Sequence, residues 1–327
     1  MKKRKIGRTE VGEIGLGCMG MTHAYGPSDE KESLAVLAKA LEMGCNFWDT
    51  ADFYSAGKNE ELLAKALTSH REEVFLSTKV GNVFDSTQIP MMGVANELNG
   101  SAEYIKKSVE SSLKRLKTDY IDLYYLHRVD PKTPIEESVS AMAELVKEGK
   151  IKYVGLSEAS VETIQRASKI HRITALQSEY SIWYRELEQE IIPLCQTLNI
   201  KLVPFAPLGR GFLTGEIQHT SDLSENDWRK SFPRFQDANL KQNMMIVEKI
   251  KKLASKYQCS SATIALAWLL TKNHQLIPIP GTRHINYLLE NIEATNICLN
   301  EEEMTQLSKF KVYGDRFPSF MENSIDK

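Results

Sequence analysis

Eight times along the chain, a short apolar run rich in β-formers gives way to a longer amphipathic run. That alternation restricts the fold more than any other feature. The short runs are EIGLG (13–17), NFWD (46–49), VFLSTK (74–79), IDLYYLH (121–127), KYVGLS (152–157), ALQSE (175–179), KLVPF (201–205) and LIPIP (276–280). Strands separated by helix-length segments pair in parallel through crossovers, because a hairpin turn cannot join parallel neighbours. Eight such units in 327 residues, with no linker or composition break, predict an α/β chain closed into a (β/α)8 TIM barrel, a single domain over residues 1–327.

The amphipathic runs carry their own punctuation. Residues 29–44 open with an acidic first turn and stop at Gly44. Residues 101–116 start from Ser101 as an N-cap, and 133–150 have Pro134 in the first turn and Gly149 at the end. Helical spacing recurs over 161–170, 186–199, 245–258, 261–273 and 285–294. Two segments exceed a minimal barrel, residues 82–100 after the third strand and 209–243 after the seventh. Long irregular connections in compact domains are usually functional covers. Together with the tail from Phe310, they are predicted to lie over the C-terminal face of the barrel.

Charge and cysteine usage narrow the function. The 41 basic and 43 acidic residues are interspersed, so no nucleic-acid partner is expected. No run approaches the roughly 18 apolar residues that span a bilayer, so no membrane partner is expected. Nothing apolar follows MKKRKIGRTE, and a cytoplasmic location is the expectation. Cys18, Cys45, Cys195, Cys259 and Cys298 are far apart, which suits a reducing compartment. Neither they nor the histidines show ligand spacing, so no metal site is expected.

GLGCMG (15–20) matches G-x-G-x-x-G, but a dinucleotide fingerprint needs a helix to start inside it. Here MTHAYGPS follows instead. The glycines are read as keeping the first strand and its loop flat against a ligand or a neighbour.

The chemistry is expected at the strand ends, which converge on one face of a barrel. Asp49 ends the second strand, Lys79 the third and His127 the fourth, and Tyr54 follows one short loop after Asp49. Period-two alternation puts Ser77 and Lys79 on one side of their strand, and Tyr125 and His127 on one side of theirs. Taken singly, each has a plain reading: a strand cap, a solvated end, a satisfied core histidine, a surface ring. Together they make a proton-transfer site. A phenol near pKa 10 is a poor acid at neutral pH. A neighbouring ammonium held by a carboxylate stabilises the phenolate and lowers that pKa, while an imidazole donates to a carbonyl oxygen. Tyr25, Phe53, Trp183, Trp228 and Phe235 either line the substrate opening or pack the covers. Arg128 meets either an anionic substrate group or a loop carboxylate.

DTADFY, the strand ending in TK, YLHR, VGLSEAS, QSEYS, PFAPLGRGFLTG and PGTR-x5-LEN together resemble the aldo-keto reductase superfamily, in order and over nearly the whole chain. PFAPLGRGFLTG and SFPRF are most similar to its microbial and plant-related branches acting on small aldehydes. The resemblance implies a barrel closed below by an N-terminal β-hairpin, here KRKIGRTEVGE. It implies reduction of a small carbonyl substrate, an aldehyde or ketone, by hydride from NADPH. The family tetrad maps onto Asp49, Tyr54, Lys79 and His127, with Tyr54 the general acid. The carboxamide contacts map to Ser157 and Gln177, with Glu158 standing where relatives commonly have asparagine. Phe205 is the expected ring platform, and Leu208, Gly209, Arg210 and Gly211 the pyrophosphate loop. Gly281, Thr282, Arg283, Tyr287, Glu290 and Asn291 map to the adenosine end, with Arg283 on the 2′-phosphate. Met19 and Gly20, after the first strand, are also expected beside the cofactor. Two rival readings remain open: a cofactor-sensing regulatory subunit of a membrane channel, and an aldolase forming a Schiff base on Lys79.

Overall fold

The computed structural model describes residues 1–22, 24–25, 28–83, 97–225, 227–273, 275–322 and 326. The chain opens with an antiparallel hairpin, β1 (Lys3–Ile6) and β2 (Thr9–Gly12), turned at Gly7 with φ 60°. Its Ile6 and Val11 are fully buried against Phe47, Phe75 and Leu123, which lie early in their strands. The hairpin therefore plugs the N-terminal end of the barrel, as the resemblance implied. Arg4 fastens it by donating to the carbonyls of Leu270, Asn273 and Leu276.

The barrel begins with β3 (Leu16–Gly17), β4 (Phe47–Asp49) and β5 (Phe75–Val80). A short antiparallel pair, β6 (Asn82–Val83) and β7 (Glu97–Leu98), lies in the first long connection. Then come β8 (Ile121–Leu126), β9 (Ile151–Ser157), β10 (Ile173–Glu179) and β11 (Lys201–Phe205). Seven strands pair in parallel in the order β11-β10-β9-β8-β5-β4-β3.

Residues 276–280 occupy the eighth position and close the ring without forming a regular strand. Ile277 and Ile279 donate to Leu202 and Pro204 of β11 at 3.0 and 3.1 Å. On the other side, Gly15 and Gly17 donate to the carbonyls of Pro278 and Pro280 at 2.9 and 3.2 Å. Those two prolines have no N–H to return, so only half a ladder forms there.

The same seam explains the glycines of GLGCMG. A Cβ on Gly17 would lie 2.8 Å from the Ile279 carbonyl oxygen, and one on Gly15 would lie 2.8 Å from Phe47. The motif runs into a single 3-10 turn, Met19–Met21, and not into a helix. We expect Gly17→Ala to cost about 1–3 kcal/mol, the usual penalty for overpacking. Urea denaturation measures it, and an unchanged midpoint would show that the seam has slack.

Capping follows the sequence. Asp29 accepts from Glu32 N–H to start the helix Glu30–Glu42, and Ser101 accepts from Tyr104 N–H to start Ala102–Leu116. The spacing missed the helix Lys58–Leu67 altogether. It overextended Ile191–Thr197 at both ends, and it started Asp237–Tyr257 too late, at Met245. Ile264, Trp268 and Leu269 are fully buried packing residues.

Of the three covers, residues 84–96 of the first, Asn226 of the second, and 323–325 and 327 of the tail lie outside the described residues, as do His23, Pro27 and His274. The second cover is a chain of 3-10 turns, Gly209–Thr214, Thr220–Asp222, Trp228–Ser231 and Pro233–Phe235. Aromatic packing holds it: Trp183 stacks on Phe212 at 4.1 Å and meets Phe235 edge-on at 5.4 Å. No helix among the described residues is long and apolar enough to cross a membrane.

Candidate active site

Strand parity brings the four predicted groups together. Lys79, fully buried, donates to Asp49 Oδ1 at 2.6 Å, to the Thr50 carbonyl at 2.7 Å and to Tyr54 Oη at 3.2 Å. Asp49 Oδ2 accepts from Ser77 Oγ at 2.7 Å and from Gln177 Nε2 at 2.8 Å, so both carboxylate oxygens are satisfied. The His127 ring stands edge-on to Tyr54 with centroids 5.9 Å apart. Asn82 lies 3.2 Å from His127 Nδ1. With the amide nitrogen donating, the ring proton sits on Nε2.

Burial alone would strip the charge from Lys79, but Asp49 and Tyr54 outweigh it and raise the amine above its ordinary value. An amine held charged by three acceptors is not a Schiff-base nucleophile, which removes the aldolase reading. For Tyr54, burial raises the phenol and Lys79 pulls it down, and burial wins. The sequence reading anticipated only the lysine's pull. Burial, then the charges of Lys79 and Arg128, holds His127 well below the usual imidazole range, so the ring is neutral at pH 7.

Tyr54 is followed by Ser55 and Ala56 at φ 51° and 52°, a left-handed pair of non-glycine residues. Strain of this kind persists where surrounding contacts enforce it. Here the Ser55 hydroxyl donates to the Thr22 carbonyl at 2.5 Å.

Asp49, Tyr54 and His127 line one end of a cavity of about 1170 Å³. Lys79 lies just beneath its wall. The same cavity is lined by Met19, Gly20, Ser157, Gln177, Phe205, Leu208, Arg210 and Gly211. Gly281, Thr282, Arg283, Tyr287, Glu290 and Asn291 line it too. Gly209 is the exception. It turns the chain at φ 58°, and a Cβ there would press on Trp183 at 2.8 Å. Pockets for drug-sized ligands run to about 1000 Å³, so this one is roomy enough for a dinucleotide.

The aldo/keto reductase family model matches residues 13–311. The chain belongs to that family. A probable aldo-keto reductase of Glycine max is 44% identical over 319 residues, covering 97% of this chain and 90% of the relative. Aldo-keto reductase yakc [NADP(+)] of Schizosaccharomyces pombe is 41% identical over 324 residues, covering 96% and 94%. Among solved structures, an aldo/keto reductase from Klebsiella pneumoniae in complex with NADP and acetate superposes with a TM-score of 0.75 at 25% identity, covering 97% and 98%. Family membership makes this chain an oxidoreductase.

Within this aldo/keto reductase, Glu158 turns away from the cavity. It sits at φ 53°, accepts from Glu179 N–H at 2.8 Å and pairs with Arg316 of the tail at 2.6 Å. Arg316 also reaches Glu179 at 2.8 Å, and Glu179 holds Arg210 through both carboxylate oxygens at 2.8 Å. Burial would raise the Glu179 carboxyl, but Arg210 and Arg316 outweigh it and hold it down at about 2. Arg210, expected on the pyrophosphate, thus has both terminal nitrogens committed to a carboxylate while still lining the cavity. Arg128 donates to the His127 carbonyl at 2.8 Å and to Ser157 Oγ at 3.2 Å. Tyr25 and Trp228 line the cavity, whereas Phe53, Trp183 and Phe235 pack behind it.

Sequence reasoning missed several contributors. Asn82 sets the His127 tautomer and Ser77 supports Asp49, yet serines and asparagines at strand ends carry no distinguishing signal. Parity put Ser77 on the face of Lys79 but gave it no role. One face of the helix Asp237–Tyr257 also walls the cavity, through Lys251, Ala254 and Ser255. Its small and charged residues read as a solvated surface.

Proposed function

We propose that the chain reduces small aldehydes or ketones to alcohols with NADPH, Tyr54 acting as the general acid. The observation that carries this reading is the Tyr54 hydroxyl, 3.2 Å from the buried Lys79 ammonium and on the wall of the large cavity. When bound, the nicotinamide supplies the hydride that reaches the carbonyl carbon. Tyr54 gives its proton to the carbonyl oxygen. His127, neutral and protonated on Nε2, donates to the same oxygen and orients it. Lys79, kept charged by Asp49, stabilises the phenolate left behind.

Ser157 and Gln177 would meet the carboxamide, and Phe205 would stack on the nicotinamide ring. Leu208, Arg210 and Gly211 would border the pyrophosphate, with Gly209 turning the chain behind them, and Met19 and Gly20 would flank it. Residues 281–291 would take the adenosine. The NADP(+) in the printed name of the fission-yeast relative, and the NADP held by the Klebsiella structure, support this cofactor.

Arg283 is assigned to the 2′-phosphate, whose oxygens its planar guanidinium fork matches. Charge-assisted hydrogen bonds contribute about 1.5–3 kcal/mol, so Arg283→Ala should weaken NADPH roughly 10- to 100-fold and leave NADH nearly unchanged. Equal losses for both cofactors, measured by titration, would remove the assignment. The direct test of the function is a cofactor-oxidation screen over short aldehydes, aromatic aldehydes, pyridoxal and dicarbonyls, run with NADPH and NADH. Tight NADPH binding with no oxidation by any of them would overturn it.

A further inference from the structure

We infer that Lys251 supplies a cation to the cofactor's pyrophosphate, an inference that rests on the NADPH reading above. Three observations carry it.

The first is position. Lys251, Ala254 and Ser255 lie three and four residues apart on the helix Asp237–Tyr257, with Gln258 one turn on, and all four line the cavity. That spacing is one helix face, so the helix presents a continuous wall to the ligand. Lys251 stands at the end of this wall next to the Gly209–Thr214 turn, the loop assigned to the pyrophosphate.

The second is fit. Gly215 follows that turn at φ 84°, and a Cβ there would lie 2.7 Å from Lys251 Cε and 3.4 Å from Nζ. The lysine stem therefore rests on a bare glycine. Any side chain at position 215 would push the amine away from the loop.

The third is charge. A pyrophosphate brings two negative charges into the groove. The guanidiniums beside the loop are already compensated. Arg210 is matched by Glu179 through two contacts at 2.8 Å. Arg229 donates to Asp227 at 2.9 and 2.6 Å and to the Arg210 carbonyl at 2.8 Å. The Lys251 amine makes no hydrogen bond or ion pair with any described residue. Glu216 lines the same end, but it is exposed and water screens its charge. A lysine is a flexible point charge with three donors, suited to closing on a phosphate after it arrives.

The test is calorimetric titration of wild type, Lys251→Met and Lys251→Arg with NADPH and with NADH, at low and at physiological salt. Lys251→Met should weaken both cofactors about tenfold, within the range of one charge-assisted hydrogen bond. It should also flatten the salt dependence, and Lys251→Arg should restore most of the affinity. Melting temperatures equal to wild type keep the comparison on binding. Unchanged affinity of Lys251→Met for both cofactors overturns the inference and leaves the NADPH reading standing. A loss confined to NADPH also overturns it, because the partner is then the 2′-phosphate. Failure of the wild-type chain to bind either cofactor would instead strike the proposed function itself.

Discussion

Tyr54→Phe is expected to lower turnover by about 10²- to 10⁴-fold, the range that a positioned general acid contributes. The substitution removes one oxygen and keeps the ring, so packing beside His127 survives. What disappears is the group 3.2 Å from Lys79 Nζ that can hand a proton to a carbonyl oxygen. Cofactor affinity should stay close to wild type, because the assigned cofactor contacts lie elsewhere in the cavity. The measurement is steady-state turnover on a reducible aldehyde, paired with NADPH titration. A variant that turns over like wild type would show that the proton comes from elsewhere. A parallel collapse of NADPH binding would mean that Tyr54 holds the site together and does not act on substrate.

The second large effect concerns stability. Asp49 and Lys79 form an ion pair at 2.6 Å with side chains 4% and 0% exposed. Removing one partner of a buried pair costs about 3–5 kcal/mol, because the other charge is left without compensation. Asp49→Ala should fall in that range. It strands the Lys79 ammonium with the Thr50 carbonyl and the Tyr54 hydroxyl as acceptors, and it also leaves Ser77 and Gln177 without the oxygen they share. Replacing both charges, as in Asp49→Leu with Lys79→Met, should recover much of the loss, since an apolar pair of similar volume is often near neutral. Denaturation midpoints of Asp49→Leu, Lys79→Met and the double variant decide it. Simple additivity would mean that the two groups do not compensate each other.

How much of this was legible beforehand depended on whether a residue's role follows from local pattern. Lys79 and His127 could be placed because a strand has period two, so Ser77 and Tyr125 report the side on which the next polar residue emerges. The hairpin was expected only from the family resemblance, and the close approach at the glycines from their lack of a side chain. The eighth barrel position was found by its apolar character, but its prolines keep it from becoming a regular strand. Other features depend on distance in space. Glu158 looked like a substituted cofactor contact, yet its side chain turns toward Arg316, more than 150 residues further on. The helix Lys58–Leu67 escaped notice because KNEELLAKAL follows directly on the strained turn after Tyr54. The cavity face of Asp237–Tyr257 was invisible because a polar residue facing a water-filled groove obeys the same pattern as one facing bulk solvent.

The link between Arg316 and the two glutamates has a bearing on where this polypeptide can be shortened. Ending it ahead of residue 316 would withdraw a guanidinium from between Glu158 and Glu179, both almost wholly out of contact with water. Arg210 would then be left as the direct ion-pair partner of Glu179, Glu158 would lose its own, and the loop Arg210 anchors would sit in a different field. Arg316 is thus an electrostatic part of the groove's floor plan, and a variant trimmed ahead of it for convenience would alter cofactor handling far from the cut.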